Sequence, residues 1–239
     1  MRIQTKAIVI SSLKYGDNSL IVKCFTRSSG MKSYLIRGVL SAKSKKFKSA
    51  FFQPLTLLEL TAIHKDKGTL EQILEVQLDE ALKTIHFQIE KSSVAVFLSE
   101  ILNMSIREEA THKDMYDFLA SEIIRFDALP VQPDFHHLFL IRLSKYLGFF
   151  PDIEDTGLYF DLLEGRLQQG YNTKQMLNAQ QTATFIAYVA RTEKAYSENT
   201  DNIGHRKEML DHLLRYYAMQ LEGFKNPKSL TVLREIFTR

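Results

Sequence analysis

The sequence predicts an α+β protein, a small five-stranded barrel in the first eighty residues followed by an all-α region. Residues 1 to 80 alternate short runs rich in Ile, Val, Phe and Tyr with turn-forming clusters, and from about residue 80 the apolar spacing lengthens from two residues to three or four. With 239 residues, 45% of them apolar and 25% charged, the chain can bury a core without added cross-links, which excludes wholesale disorder.

Ile3 to Ile10, Ser19 to Thr26 and Met31 to Arg37 read as the first three strands of a meander, bounded by Tyr15-Gly16-Asp17-Asn18 and Ser28-Ser29-Gly30. Leu55 to His64 and Leu70 to Leu78 are the next two, joined by the turn Lys65-Asp66-Lys67-Gly68. Pro54 suits a strand start, because proline cannot donate to a ladder. Closure into a barrel would remove the exposed edges of such a sheet. Next come helices. Val94, Phe97, Leu98, Ile101 and Leu102 fall on one helical face. A second helix carries Met115, Phe118, Leu119 and Ile123, with Thr111 as its expected cap and Asp114 three residues on. Pro133 opens a third, running through Leu138, Ile141, Arg142 and Lys145 to Gly148. Residues 149 to 172, with three glycines among short apolar runs, read as an irregular or hairpin segment. Ala183 to Ala195, His205 to Leu221 closed by Gly223, and a short helix after Ser229 complete the chain. The period change places a domain boundary between residues 1–80 and 81–239.

Charge is divided unevenly. Residues 1 to 50 hold eleven basic side chains and the single acid Asp17, an excess of ten, so within a total of +3 the remaining 189 residues carry −7. A field of one sign confined to one region points to a polyanionic partner. Lys43, Lys45, Lys46 and Lys48 crowd one loop, with Phe47 among them and Phe51 and Phe52 just beyond. Cations that follow a phosphate backbone, with aromatic faces that take bases, suit nucleic acid. Lys43, Lys45, Lys46, Lys48, Arg2, Lys14, Lys23 and Arg37 are the expected contacts, with Phe47 the aromatic expected outside and Tyr15, Tyr34 and Phe51 further stacking candidates. The loop offers no amphipathic helix for a membrane surface.

Catalytic signatures are missing: the chain has no GxxxxGK[ST] loop, no GxGxxG after a strand, no GxSxG elbow and no HExxH helix. No catalytic residue, cofactor or metal is expected. His136 and His137 point about 100° apart on a helix and cannot chelate together. His205 and His212 share a face with Glu208 between them, a pattern routine on exposed helices. Cys24, the one cysteine, sits in an apolar strand, which excludes a disulfide framework and suits a reducing, cytoplasmic setting. No apolar run approaches the twenty residues of a membrane span, and no export signal is visible. The acidic groups Glu108-Glu109 and Asp152, Glu154, Asp155 lack calcium-loop spacing and read as solvated.

Residues 13 to 60, LKYGDNSLIVKCFTRSSGMKSYLIRGVLSAKSKKFKSAFFQPLTLLEL, closely resemble the N-terminal domain of RecO, a family of bacterial DNA repair and recombination mediators. The resemblance rests on the Tyr15-Gly16-Asp17-Asn18-Ser19 turn, Thr26-x-x-x-Gly30, Arg37-Gly38, the basic loop, and Gln53-Pro54-Leu55 leading into Leu58-Glu59-Leu60. It continues through LSKYLGFFPDIED to the closing KNPKSLTVLREIF, and so covers nearly the whole chain. It implies an OB-fold barrel followed by a helical domain. It further implies binding of single- and double-stranded DNA without hydrolysis, strand annealing, and help from RecR, in some bacteria also RecF, in loading RecA onto DNA coated by single-strand-binding protein. The acidic tail of that protein implies a cation-rimmed pocket in the helical domain, with Arg142 and Lys145, or Arg206 and Lys207, as candidate cations. Many family members carry a four-cysteine zinc motif after the region matching Gly148 to Asp155. This chain has Asp152, Asp155 and Gly157 there, so packing by Leu158, Tyr159, Phe160, Leu162 and Leu167 is expected to replace the metal. Two alternatives from other classes are an RNA-binding OB-fold module and an adaptor whose basic face meets an acidic protein.

Overall fold

The computed structural model describes residues 1–41, 47–65, 70–106, 112–172, 174–192 and 205–237. The chain forms two compact units, Met1–Val131 with Pro227–Arg239, and Gln132–Asn226. The change from strand to helix falls after Leu78, but the first compact unit continues through two helices beyond it.

In the first unit, β1 (Arg2–Tyr15), β2 (Ser19–Thr26), β3 (Gly30–Ile36), β4 (Leu57–Ile63) and β5 (Gln72–Leu78) form one antiparallel sheet in the order β3-β2-β1-β4-β5. Among the described residues, the outer strands β3 and β5 meet at one parallel bridge, Tyr34 with Glu71. There Glu71 N–H donates to Ser33 O at 2.8 Å and Leu35 N–H to Glu71 O at 3.2 Å. The sheet is therefore OB-like but not a closed barrel, and the expected closure reduces to one bridge.

β1 is longer than the sequence suggests, because Ser11 to Tyr15 continue the ladder with β2 past a register shift between Val9 and Ser11. Its Ala7 and Val9 join Val22, Cys24, Tyr34 and Leu60 in the sheet's interior cluster, while Ile8 and Ile10 are equally buried on the other face. A strand covered on both faces explains the unbroken apolar run Ala7-Ile8-Val9-Ile10. Leu55 follows Pro54 in a left-handed conformation, φ 63°, a strain of about 1 to 3 kcal/mol for a residue with a Cβ. Burial of its side chain and donation of its N–H to Val9 O at 2.8 Å hold it there, so β4 begins at Leu57 and not at Leu55.

Three helices share this unit: α1 (Ile89–Ser105), α2 (Lys113–Ala128) and, from the far end of the chain, α6 (Leu230–Phe237). Val94, Phe97, Leu98, Ile101 and Leu102 of α1 are buried as their spacing predicts. The N-cap of α2 is His112, with no side-chain cap bond; Thr111, expected there, lies outside the described residues. A polar knot fixes the turn before α1. The Asp127 carboxylate accepts the N–H groups of Lys83, Thr84 and Ile85 at 2.7 to 3.0 Å, and buried Lys91 donates to Thr84 Oγ1 and to the carbonyls of Asp127 and Leu129. Each of these buried groups is satisfied, which is what makes their burial tolerable. Ser229 donates through both N–H and Oγ to Glu100, tying α6 to α1.

The second unit holds α3 (Phe135–Leu147), β6 (Tyr159–Asp161), β7 (Arg166–Gln168), α4 (Ala179–Arg191) and α5 (Arg206–Gln220). Gly148 ends α3 at φ 86°, the left-handed stop its position suggested. The 149–172 segment contains a two-stranded hairpin. Phe160 and Leu162 are fully buried and Leu167 nearly so. The Phe160 ring stacks on Phe185 at 4.5 Å and meets the edge of Tyr216. Gln220 Nε2 donates to the carbonyls of Leu162 and Leu163. Gly157 lies where a Cβ would come within 2.5 Å of Gln168 N, so only glycine fits. Leu158, expected to pack, is 61% exposed: it precedes the hairpin and faces solvent. α4 starts at Ala179, four residues before the expected Ala183, because Asn178 and Gln181 form a capping box.

Candidate nucleic-acid interface

Cross-strand partners share a face, so the ladders assemble the outer surface of β1, β2 and β3 row by row. One row is Leu13, Ile21 and Leu35; the next is Ser11, Lys23 and Ser33. Tyr15 pairs with Ser19 on the same face, and Arg37, two residues past Leu35, continues it. Leu13 and Tyr15 are 67% and 55% exposed, and Arg37 is exposed too. The result is an apolar row with one aromatic ring, flanked by Lys23 and Arg37.

Other expected contacts are dispersed. Lys14 is exposed but pairs with Leu20, a core residue, so it leaves the opposite face at the hairpin tip. Arg2 pairs with Ile63 at the other end of β1, twelve residues away, and cannot share a patch with Lys14. Lys48 is exposed beside a 3₁₀ turn, Ser49–Phe52. Lys43, Lys45 and Lys46 lie outside the described residues. Phe47, expected outside, is only partly exposed and packs with Phe51 against the interior cluster, while Phe52 is buried in it. These aromatics anchor the segment that leaves the lysine loop. Tyr34 cannot stack on a base: its side chain is buried, its hydroxyl shares a hydrogen bond of 2.8 Å with His64 Nε2, and burial pushes its ionisation far up.

In the second unit three arginines, Arg142, Arg191 and Arg206, turn inward, while Arg166 and Arg215 stay exposed. Arg142 donates through Nε and Nη2 to Thr192 O at 3.1 and 3.0 Å. Buried Asp134 accepts from Arg206 Nε at 2.7 Å, Arg191 Nη1 at 3.1 Å and the Tyr188 hydroxyl at 3.4 Å. His137 Nε2–H donates to Arg206 O at 2.9 Å, and the His136 ring lies 4.2 Å from that of His137. Both imidazoles are buried, which lowers His137 to about 4 and holds His136 well below its usual value. Lys145 and Lys207 remain exposed.

Burial pushes the Cys24 thiol up to about 12, far from a nucleophile's range. Glu208 stands 3.5 Å from both His205 Nδ1 and His212 Nε2, yet among the described residues no group of three or more His, Cys, Asp or Glu is placed to hold a metal ion. No described helix is long and apolar enough to cross a membrane.

The fold defines the class, an OB-like sheet followed by a helical region, with cations on the sheet's outer face. Family models described as "Recombination protein O N terminal" and "Recombination protein O C terminal" match residues 1–81 and 86–230. DNA repair protein RecO of Flavobacterium psychrophilum is 42% identical over 239 residues, the full length of both chains. The RecO of Bacteroides fragilis is 32% identical over 98% of each chain, and that of Porphyromonas gingivalis 30% identical over 99% of this chain and 100% of its own. This chain belongs to the RecO family of DNA repair proteins.

Proposed function

We propose that this protein is a DNA repair and recombination mediator that binds single- and double-stranded DNA, promotes annealing of complementary strands and hydrolyses nothing. The observation that carries the reading is the outer face of β1 to β3, where Lys23 and Arg37 flank Leu13, Ile21, Leu35 and Tyr15, together with the lysines at 43 to 48. Residues 1–80 act as the DNA-binding domain and 81–239 as the platform for partners.

Annealing follows from electrostatics. Two complementary strands repel each other, and a surface dense in cations neutralises both while leaving base edges free to pair. Because phosphate contacts carry no sequence information, binding is largely indifferent to sequence. With RecR, and with RecF where it takes part, the protein helps load RecA in the cytoplasm onto DNA coated by single-strand-binding protein. The acidic tail of that protein meets Lys145 or Lys207, since Arg142 and Arg206 already serve internal acceptors.

Annealing of two complementary labelled strands, followed by energy transfer, tests the reading. The protein should accelerate annealing, and a variant with Lys43, Lys45, Lys46 and Lys48 changed to alanine should do so far less. Equal acceleration by both proteins, or none by either, would contradict it.

A further inference from the structure

The open seam of the sheet carries a concave feature that continues from Leu35 and Arg37 of the outer face. Past the Tyr34–Glu71 bridge, the end of β3 and the start of β5 enclose a cleft of about 280 Å³. Leu35 and Arg37 line it from β3, Phe47 from the segment after the lysine loop, Lys65 and Leu70 from the β4–β5 connection, and Gln72 from β5.

Its base is held rigidly. The two bridge hydrogen bonds fix Leu35 against Glu71, and the Glu71 carboxylate accepts the Lys65 N–H at 2.8 Å, pinning the connection where it leaves β4. Phe47 packs on the interior cluster, so binding would cost little further ordering of that ring. The chemistry around the cleft is mixed in an informative way. Phe47, Leu35 and Leu70 offer apolar walls, the exposed side chains of Arg37 and Lys65 place two cations at the rim, and the exposed Gln72 amide can both donate and accept. Glu71 also lines the cleft, but its buried carboxylate is engaged by the Lys65 N–H, so apolar walls, an amide and the two rim cations match a planar heterocycle whose phosphate stays at the rim. The volume lies just below that of whole-ligand pockets, about 300 to 1,000 Å³, and suits one such group.

We propose that this cleft takes a single unpaired nucleotide of a bound strand, its base against Phe47 and the two leucines and its phosphate on Arg37 and Lys65. The inference rests on the DNA-binding reading and adds to it a device that separates single from double strands. A base within a duplex must leave its stack and its partner to enter, whereas an unpaired base enters without that cost. The lysine loop cannot make that distinction, because both forms present phosphates.

Two measurements on the full chain test it. The probes are a mixed-sequence single strand with 5-iododeoxyuridine in place of thymidine, and the duplex of the same sequence. Photocrosslinks to the single strand should map to Phe47 by mass spectrometry. By fluorescence anisotropy, Phe47→Ala should weaken the single strand about tenfold, the size of one lost stacking contact, with little change for the duplex. Gln72→Glu, at an exposed position that leaves the thermal melt unchanged, should shift the same ratio in the same direction by setting a carboxylate beside the base and phosphate. Equal losses for both forms in both variants, or crosslinks on Tyr15 and none on Phe47, would overturn the cleft and leave DNA binding in place. Failure of the wild type to bind either form would overturn both readings.

Discussion

Arg37 of the sheet and three arginines of Gln132–Asn226 are used in opposite ways. On the outer face of the sheet Arg37 is exposed, as are Lys14 and Lys48 elsewhere in the first fifty residues. In Gln132–Asn226, Arg142, Arg191 and Arg206 all donate to acceptors of the same unit, and two of them converge on one buried carboxylate. A cation neutralised internally has little field left for a phosphate, so Arg37 is available to the DNA contact proposed above and the arginines on Asp134 are not.

The largest test removes the acid that turns those arginines inward. Asp134→Asn leaves Arg191 and Arg206 without their charge partner at a carboxylate position that is 2% exposed. Breaking a buried pair costs about 3 to 5 kcal/mol, and the partial exposure of both arginines puts the expected loss near the lower figure, about 3 kcal/mol. Urea denaturation measures it. Affinity for DNA should be kept under conditions where the variant remains folded. A loss below about 0.5 kcal/mol would show that the cluster does not hold the unit together.

Acid should attack the same unit by a second route. His137 is held neutral by burial, at about 4 when folded against 6.5 in its ordinary state. Between those values the unfolded chain binds the proton that the folded one refuses, so stability is fully present above pH 6.5 and falls as the pH drops toward 4. The loss expected from His137 alone is about 3 kcal/mol, and buried His136 adds to it. Unfolding free energies measured from pH 7 to pH 4 check this, and His137→Asn should flatten the curve. An unchanged slope in that variant would mean that other groups govern acid lability.

The smallest effect on stability should come from the sheet's outer face. Arg37→Ala is expected to stay within about 0.5 kcal/mol of wild type, as surface substitutions do, while weakening DNA binding measurably. A large drop in melting temperature would mean that Arg37 has a structural role.

Much of this contrast was legible in the residues, though unevenly. β2 spans Ser19–Thr26 as the flanking turns Tyr15 to Asn18 and Ser28 to Gly30 required, and α1 buries the five residues its spacing selects. The concentration of positive charge was readable by counting alone. Which face of a strand looks inward was not: Tyr34 and Lys23 lie on neighbouring paired strands, and only the register puts one inside and the other outside. Phe47 looked solvent-facing because its sequence neighbours are lysines, yet the interior cluster lies within its reach. Arg206 was expected at the rim of a partner pocket, and its engagement by Asp134 was not legible because that residue lies 72 positions away. The start of α4 was readable and missed. Asn178 and Gln181 have cap spacing, but Ala179 and Gln180 supply no apolar signal between them.

The assignment of DNA to the basic first fifty residues, and not to the second unit, is tested most directly by the salt dependence of DNA binding. Fluorescence anisotropy with a mixed-sequence single strand at about 50 and 200 mM salt would compare three proteins. These are wild type, the variant with Lys43, Lys45, Lys46 and Lys48 changed to alanine, and a variant with Lys145 and Lys207 changed to alanine. With roughly five phosphate contacts, the rise in salt should weaken wild type about a hundredfold. The first variant should bind less tightly with a shallower slope, and the second should keep the wild-type slope. A wild type that fails to bind at the lower salt, or a slope lost in the second variant and kept in the first, would contradict the account.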